Sequence, residues 1–158
     1  MKALLIYTSK HGTTEKISET ICNSSKHEIT RNNLKAHKSP DISDYDLIII
    51  GCSIHAGSIS MRTKKFIKKN KEKLLTKNTA IFMTCMNHEV AEKQFNDNFD
   101  TEIKEKSIAT AYVGGEFLFE KMNKLERAIV KKVSGVDHTV SQIKTDTIQS
   151  FINQIDKL

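Results

Sequence analysis

A seven-residue polar run, Thr8-Ser9-Lys10-His11-Gly12-Thr13-Thr14, follows a short apolar stretch near the start of the chain and leads into residues with helical spacing. Four hydroxyls, two basic side chains and one glycine in so short a loop suit an anion, above all a phosphate. Free N–H groups at a helix start point into such a loop, hydroxyls add donors, and Gly12 lets the backbone close around the group. An ordinary helix cap, with Thr13 or Thr14 as the capping residue, needs only one of the four hydroxyls. The loops of nucleoside triphosphatases and dinucleotide enzymes are excluded, because GxxxxGK[ST] and GxGxxG are both absent.

Two further loops carry groups of the same kind. Gly51-Cys52-Ser53-Ile54-His55-Ala56-Gly57-Ser58 sets small residues between two glycines. It either lies along a flat ligand or simply joins a strand to a helix, with Gly57 serving a turn. Thr84-Cys85-Met86-Asn87-His88-Glu89 offers hydrogen-bonding groups to a ligand, or a helix cap at Thr84 or Asn87. His55 is the candidate proton relay, since imidazole titrates near neutrality. Cys22, Cys52 and Cys85 are odd in number, widely spaced and without a CxxC pair, which predicts reduced thiols and no structural metal.

Five apolar stretches read as strands: Ala3–Tyr7, Glu28–Leu34, Leu47–Ile50, Ala80–Thr84 and Ile108–Val113. Leu47-Ile48-Ile49-Ile50 is continuously apolar, as in a strand covered on both faces. Between the strands, Ile17 and Ile21, then Phe66, Ile67 and Leu74, recur at helical spacing, and Ile148, Phe151, Ile152 and Ile155 mark a final amphipathic helix. Alternating strands and helices imply a parallel sheet with helices on both faces, and ligands then sit at the carboxyl ends of the strands. With 158 residues the chain reads as one domain over 1–158, carrying an extra segment at about 116–143 before the last helix.

These residues resemble a known family. TSKHGTTE is similar to the phosphate loop of flavodoxins, [ST]-x-T-G-x-T, with Ser9, Gly12 and Thr14 matching and His11 in place of a threonine. DYDLIIIG, residues 44–51, resembles the flavodoxin stretch leading into the loop that flanks the flavin. The resemblance covers essentially the whole chain and implies a flavodoxin-like three-layer sandwich with a five-stranded parallel sheet of order 2-1-3-4-5. The cofactor it implies is FMN, held by Thr8, Ser9, Lys10, His11, Gly12, Thr13, Thr14, Ser53, Ile54, His55, Ala56, Gly57, Thr84, Cys85, Met86, Asn87 and His88. Flavodoxins stack the flavin between aromatic rings, whereas this chain has no Trp and no Tyr or Phe in its second and third loops. His55, Met86 or His88 then take the stacking positions.

Within that fold the chain looks most like the menaquinone-dependent protoporphyrinogen dehydrogenases of haem synthesis. Lys10-His11-Gly12, the G-x-S-I-x-x-G match at Gly51, Ser53, Ile54 and Gly57, the run Phe66-Ile67-Lys68-Lys69, and Phe117–Lys132 followed by Ser134-Gly135 carry that likeness. It implies an oxidoreductase using a quinone and an anionic porphyrin; the alternative is a flavodoxin carrying electrons between protein redox partners.

A net charge of +6 favours anionic partners, among them a porphyrin or an anionic membrane surface. Phe117–Val133 reads as a basic amphipathic helix, facing either a membrane or the sheet, and Arg62–Lys77 as a lysine-rich solvated face. No basic and aromatic interleaving supports nucleic-acid binding. A receiver domain of a signalling pair is excluded, since Thr8 and Ser53 stand where it needs aspartates. With no signal peptide pattern and no run of about 20 apolar residues, the expected place is the cytoplasm, with peripheral contact at the inner membrane face as a further expectation.

Overall fold

The computed structural model describes residues Met1–Leu158. Five strands, β1 (Lys2–Tyr7), β2 (Glu28–Asn33), β3 (Leu47–Ser53), β4 (Asn78–Thr84) and β5 (Ser107–Tyr112), form one parallel sheet of order β2-β1-β3-β4-β5. This is the order the resemblance implies. Period-two alternation along the strands feeds two cores. Leu4, Ile6, Ile48, Ile50, Ile81 and Met83 point to one, while Ala3, Leu5, Leu47, Ile49, Ala80 and Phe82 point to the other.

Helices α1 (Thr13–Ser24) and α6 (Thr145–Ile155) cover the second core, into which α6 inserts Ile148, Phe151, Ile152 and Ile155 as its spacing predicts. Helices α2 (Met61–Thr76), α3 (Ala91–Asn98) and α4 (Thr101–Lys106) cover the first. The side chain of Ser60 accepts a hydrogen bond from the Thr63 N–H at 3.2 Å and so starts α2. Burial of two full sheet faces explains why the central strands need no polar alternation. No helix is long and apolar enough to cross a membrane.

Between β5 and α6 the chain makes a small addition of its own. Two-residue strands β6 (Glu116–Phe117) and β7 (Val140–Ser141) pair antiparallel, and a single 3-10 turn and helix α5 (Lys124–Ser134) lie between them. The continuous helix expected from Phe117 is therefore shorter. It begins only after Asn123, whose side chain accepts from the Glu126 N–H while the Glu126 carboxylate accepts from the Asn123 N–H. Gly135, at φ 73°, ends it. Gly114 (φ +74°) turns the chain out of the sheet into this segment so tightly that a Cβ there would lie 1.9 Å from the Gln142 carbonyl oxygen.

The apolar stripe of α5 is not docked on the sheet. Leu125, Ile129 and Val133 are 69%, 52% and 81% exposed, and no residue of the helix is buried.

Candidate functional site

The first loop crosses the carboxyl end of β1 and runs directly into α1. Gly12 occupies the capping position at φ +103°, and no side chain caps the helix. The expected hydroxyl cap from Thr13 or Thr14 is thus absent, because α1 already begins at Thr13 and both hydroxyls are engaged elsewhere. Thr13 Oγ1 donates to Glu116 Oε2 at 3.0 Å, and Thr14 Oγ1 lies 3.3 Å from Thr84 Oγ1. The Gly12 N–H donates to Ser9 Oγ at 3.0 Å, and Thr8 Oγ1 lies 3.2 Å from Thr63 Oγ1. The N–H groups of Thr13, Thr14 and Glu15 have no acceptor within the chain; the first helical bond is from the Lys16 N–H to the Gly12 carbonyl, 2.9 Å. Unpaired donors at a helix start, beside a Thr14 only 1% exposed, make an anion seat by chemistry as well as by place.

Cations ring this seat. The Lys35 ammonium donates to the Ser9 carbonyl, and Lys121 Nζ stands 3.1 Å from where a Cβ on Gly12 would be. Lys10 and His11 meet a carboxylate from α5: Glu126 makes an ion pair with Lys10 and lies 3.3 Å from His11 Nε2. Glu116 of β6 accepts from Thr13 and lies 3.6 Å from Lys16 Nζ. The Lys10 ammonium, followed by the Asn123 N–H, pulls the Glu126 carboxyl down to about 2. The loop's own chemistry thus already draws anionic groups, which is the fit a phosphate requires.

The structure gathers most of the predicted site residues around a cleft of about 70 Å³. Ser9, Lys10, His11, Thr13 and Thr14 form its floor, Ser53, Ile54 and His55 one wall, and Thr84, Cys85 and Met86 another. Six of the predicted residues lie outside its lining. Ala56 and Gly57 are the central pair of a tight exposed turn, at φ 49° and 78°, closed by mutual His55–Ser58 backbone bonds of 3.0 and 3.1 Å. Both central residues at positive φ match a type I′ turn. Asn87 and His88 instead line a separate groove of about 630 Å³, which meets the cleft across Met86 and Phe117. The other two stand behind the lining, Thr8 on Thr63 and Gly12 at the cap.

His55 Nε2 lies 3.1 Å from Ser53 Oγ, and its ring stands edge-on to His11 with centroids 6.2 Å apart. Crowding by protein, then the Lys10 and His11 charges, lowers its pKa below the ordinary imidazole value even though the residue keeps an exposed surface. Sequence reasoning missed the third wall, Gly115, Glu116 and Phe117, and also Glu126. Only the last left a signal, the N-x-x-E spacing Asn123–Glu126 of a capping box.

A parallel sheet of this order with its anion loop at the carboxyl edge defines the doubly wound class that takes ligands at a topological switch point. Within that class the chain belongs to the flavodoxin-domain family, whose profile matches residues 4–142. No curated protein sequence matches it. Among solved structures the chain is similar to a Streptococcus pneumoniae TIGR4 flavodoxin (TM-score 0.61, 13% identity, 99% of each chain covered). It is also similar to the rubredoxin oxygen:oxidoreductase of Desulfovibrio gigas (TM-score 0.65, 15% identity, 99% of this chain and 35% of that one). The chain thus spans about a third of that protein's length. A flavoprotein of Lactobacillus acidophilus NCFM, solved in complex with FMN, aligns over 70% of this chain and 92% of its own (TM-score 0.53, 20% identity). At these identities the likeness is one of fold.

Proposed function

We propose that the chain is an FMN-dependent oxidoreductase of the kind that oxidises protoporphyrinogen with a quinone as acceptor. The single observation that carries FMN is the seat at the start of α1, with three unpaired N–H groups, buried hydroxyls and flanking cations on a flavodoxin-domain chain. Ser9, Thr13, Thr14 and the N–H groups of Thr13 to Glu15 hold the phosphate, Lys10 adds charge, and the His11 ring stands beside it. Ser53–His55 and Thr84–Met86 flank the ring, with His55, Met86 and Phe117 in the role that aromatic stackers take elsewhere. When bound, FMN supplies the electron transfer itself, so the protein contributes binding, orientation and electrostatics. His55, its pKa lowered by burial and then by the Lys10 charge, offers Nε2 beside Ser53 Oγ as a place for a proton.

The porphyrin and quinone rest on charge and on the inserted segment. A chain of net charge +6, with a basic helix whose apolar stripe faces water, favours an anionic substrate and a partner at a lipid surface over the basic docking patch of an acidic carrier's partner. Purified protein should be yellow, or become so with FMN, and should oxidise protoporphyrinogen anaerobically with menaquinone. Reduction by a flavodoxin reductase without that turnover would point to a carrier, and colourless protein that takes up no FMN would remove both readings.

A further inference from the structure

Helix α5 is attached to the rest of the fold in an unusual way. None of its side chains is buried, its apolar stripe is in water, and its Arg127 and Lys131 contacts stay within the inserted segment, to the Phe119 carbonyl and Asp137. Its polar link to the sheet domain is Glu126, which spans 115 residues of sequence to reach His11 and pairs with Lys10. The same carboxylate closes the capping box at the first turn of α5, so its position is fixed by the helix that carries it. It therefore sits on Lys10 and His11, beside the unpaired N–H groups of α1, and Glu116 accepts from Thr13 Oγ1 nearby.

We propose that Glu126 is a built-in competitor for the ligand's phosphate: its carboxylate holds Lys10 and His11, the basic side chains of the first loop, while the N–H groups at the start of α1 stay open. A phosphorylated ligand gains Lys10 and His11 only by displacing it, and α5 moves with it. The inference rests on reading this loop as the phosphate site. Two anions cannot both contact the Lys10 ammonium from the same side without repelling each other. Binding therefore includes a shift of α5 away from the first loop. Glu126 consequently sets how the chain discriminates between phosphorylated and unphosphorylated flavin, and apparent affinity is the intrinsic affinity multiplied by the fraction of molecules standing open.

Glu126→Gln tests this cleanly, because glutamine still completes the capping box and only the charge is lost. Flavin fluorescence titrations should show FMN binding about tenfold tighter in the variant, the scale expected on removing a like charge near a protein surface. Riboflavin affinity should change less than twofold. Independently of affinity, inorganic phosphate at saturating concentration should speed amide exchange in α5 of the unmodified chain, while Glu126→Gln should exchange fast without it. Weaker FMN binding in the variant, equal shifts for FMN and riboflavin, or α5 exchange indifferent to phosphate would each overturn the proposal. FMN bound equally by both proteins sinks only this inference. If neither FMN nor phosphate reaches the loop in either protein, the phosphate-site reading falls and this one with it.

Discussion

Replacing Gly114 by alanine should cost about 3–4 kcal/mol of folding stability, from left-handed backbone strain and lost hydrogen bonds together. At φ +74° an L side chain carries roughly 1–2 kcal/mol of strain. The new Cβ would also lie 1.9 Å from the Gln142 carbonyl oxygen, where ordinary contact begins at 3.4 Å, so the Gln142 backbone just after β7 must retreat by about 1.5 Å. That shift strains the bonds from the Gln142 N–H to the Gly115 carbonyl (2.8 Å) and from the Lys144 N–H to the Val113 carbonyl (3.0 Å), each worth about 1 kcal/mol. Urea unfolding followed by circular dichroism should show the midpoint falling by about 1.5–2 M, taking a slope of about 2 kcal/mol per M. Gly115→Ala is the internal control. Its Cβ meets the flexible Met86 side chain at 3.2–3.3 Å and the Cys85 backbone at an ordinary 3.4 Å, and the expected loss is below about 1 kcal/mol. Equal losses in the two variants, or a loss under about 1 kcal/mol in the first, would refute the reasoning from the Gln142 contact.

Phe151→Ala empties a site 1% exposed that packs edge-on against Phe82, and should cost about 3–5 kcal/mol by denaturant titration. Native protein should react only slowly with a disulfide reagent at pH 8, since burial pushes the Cys22 thiol up to about 11 and Cys52 higher still; all three thiols should titrate once the chain is denatured. The Glu126 carboxyl ionises more easily folded than unfolded, so its stabilisation is present above its ordinary value of 4.5 and is lost as pH falls through about 2. Thermal melts of wild type and Glu126→Gln should converge over that window. His55 shifts down as well, so the unfolded chain takes up its proton first, and stability should fall on acidification below about 6.5, less steeply in His55→Gln.

The continuous apolar run of β3 and the 3–4 spacing of α6 announced the sheet and its last helix because each buries a complete face. The first loop was legible for a similar reason: a cluster of hydroxyls beside a glycine is costly to keep without a use. The inserted segment was not. Strands of two residues, β6 and β7, leave no period to detect. The stripe Leu125, Ile129, Val133 reveals an amphipathic helix, but periodicity cannot say whether protein or water lies against it. Pairing of His11 with Glu126 depends on where two distant segments meet in space, a fact that local spacing does not carry.

Strand β2, outermost on one side of the sheet, presents Glu28, Thr30 and Arg31 to water and is only six residues long. An open ladder of unpaired N–H and C=O groups invites a neighbouring molecule to add its own strand, and charged side chains on a short edge make that addition unfavourable. The exposed rim is therefore a guard against polymerisation, so crowding this chain to high concentration should yield discrete particles and not fibres.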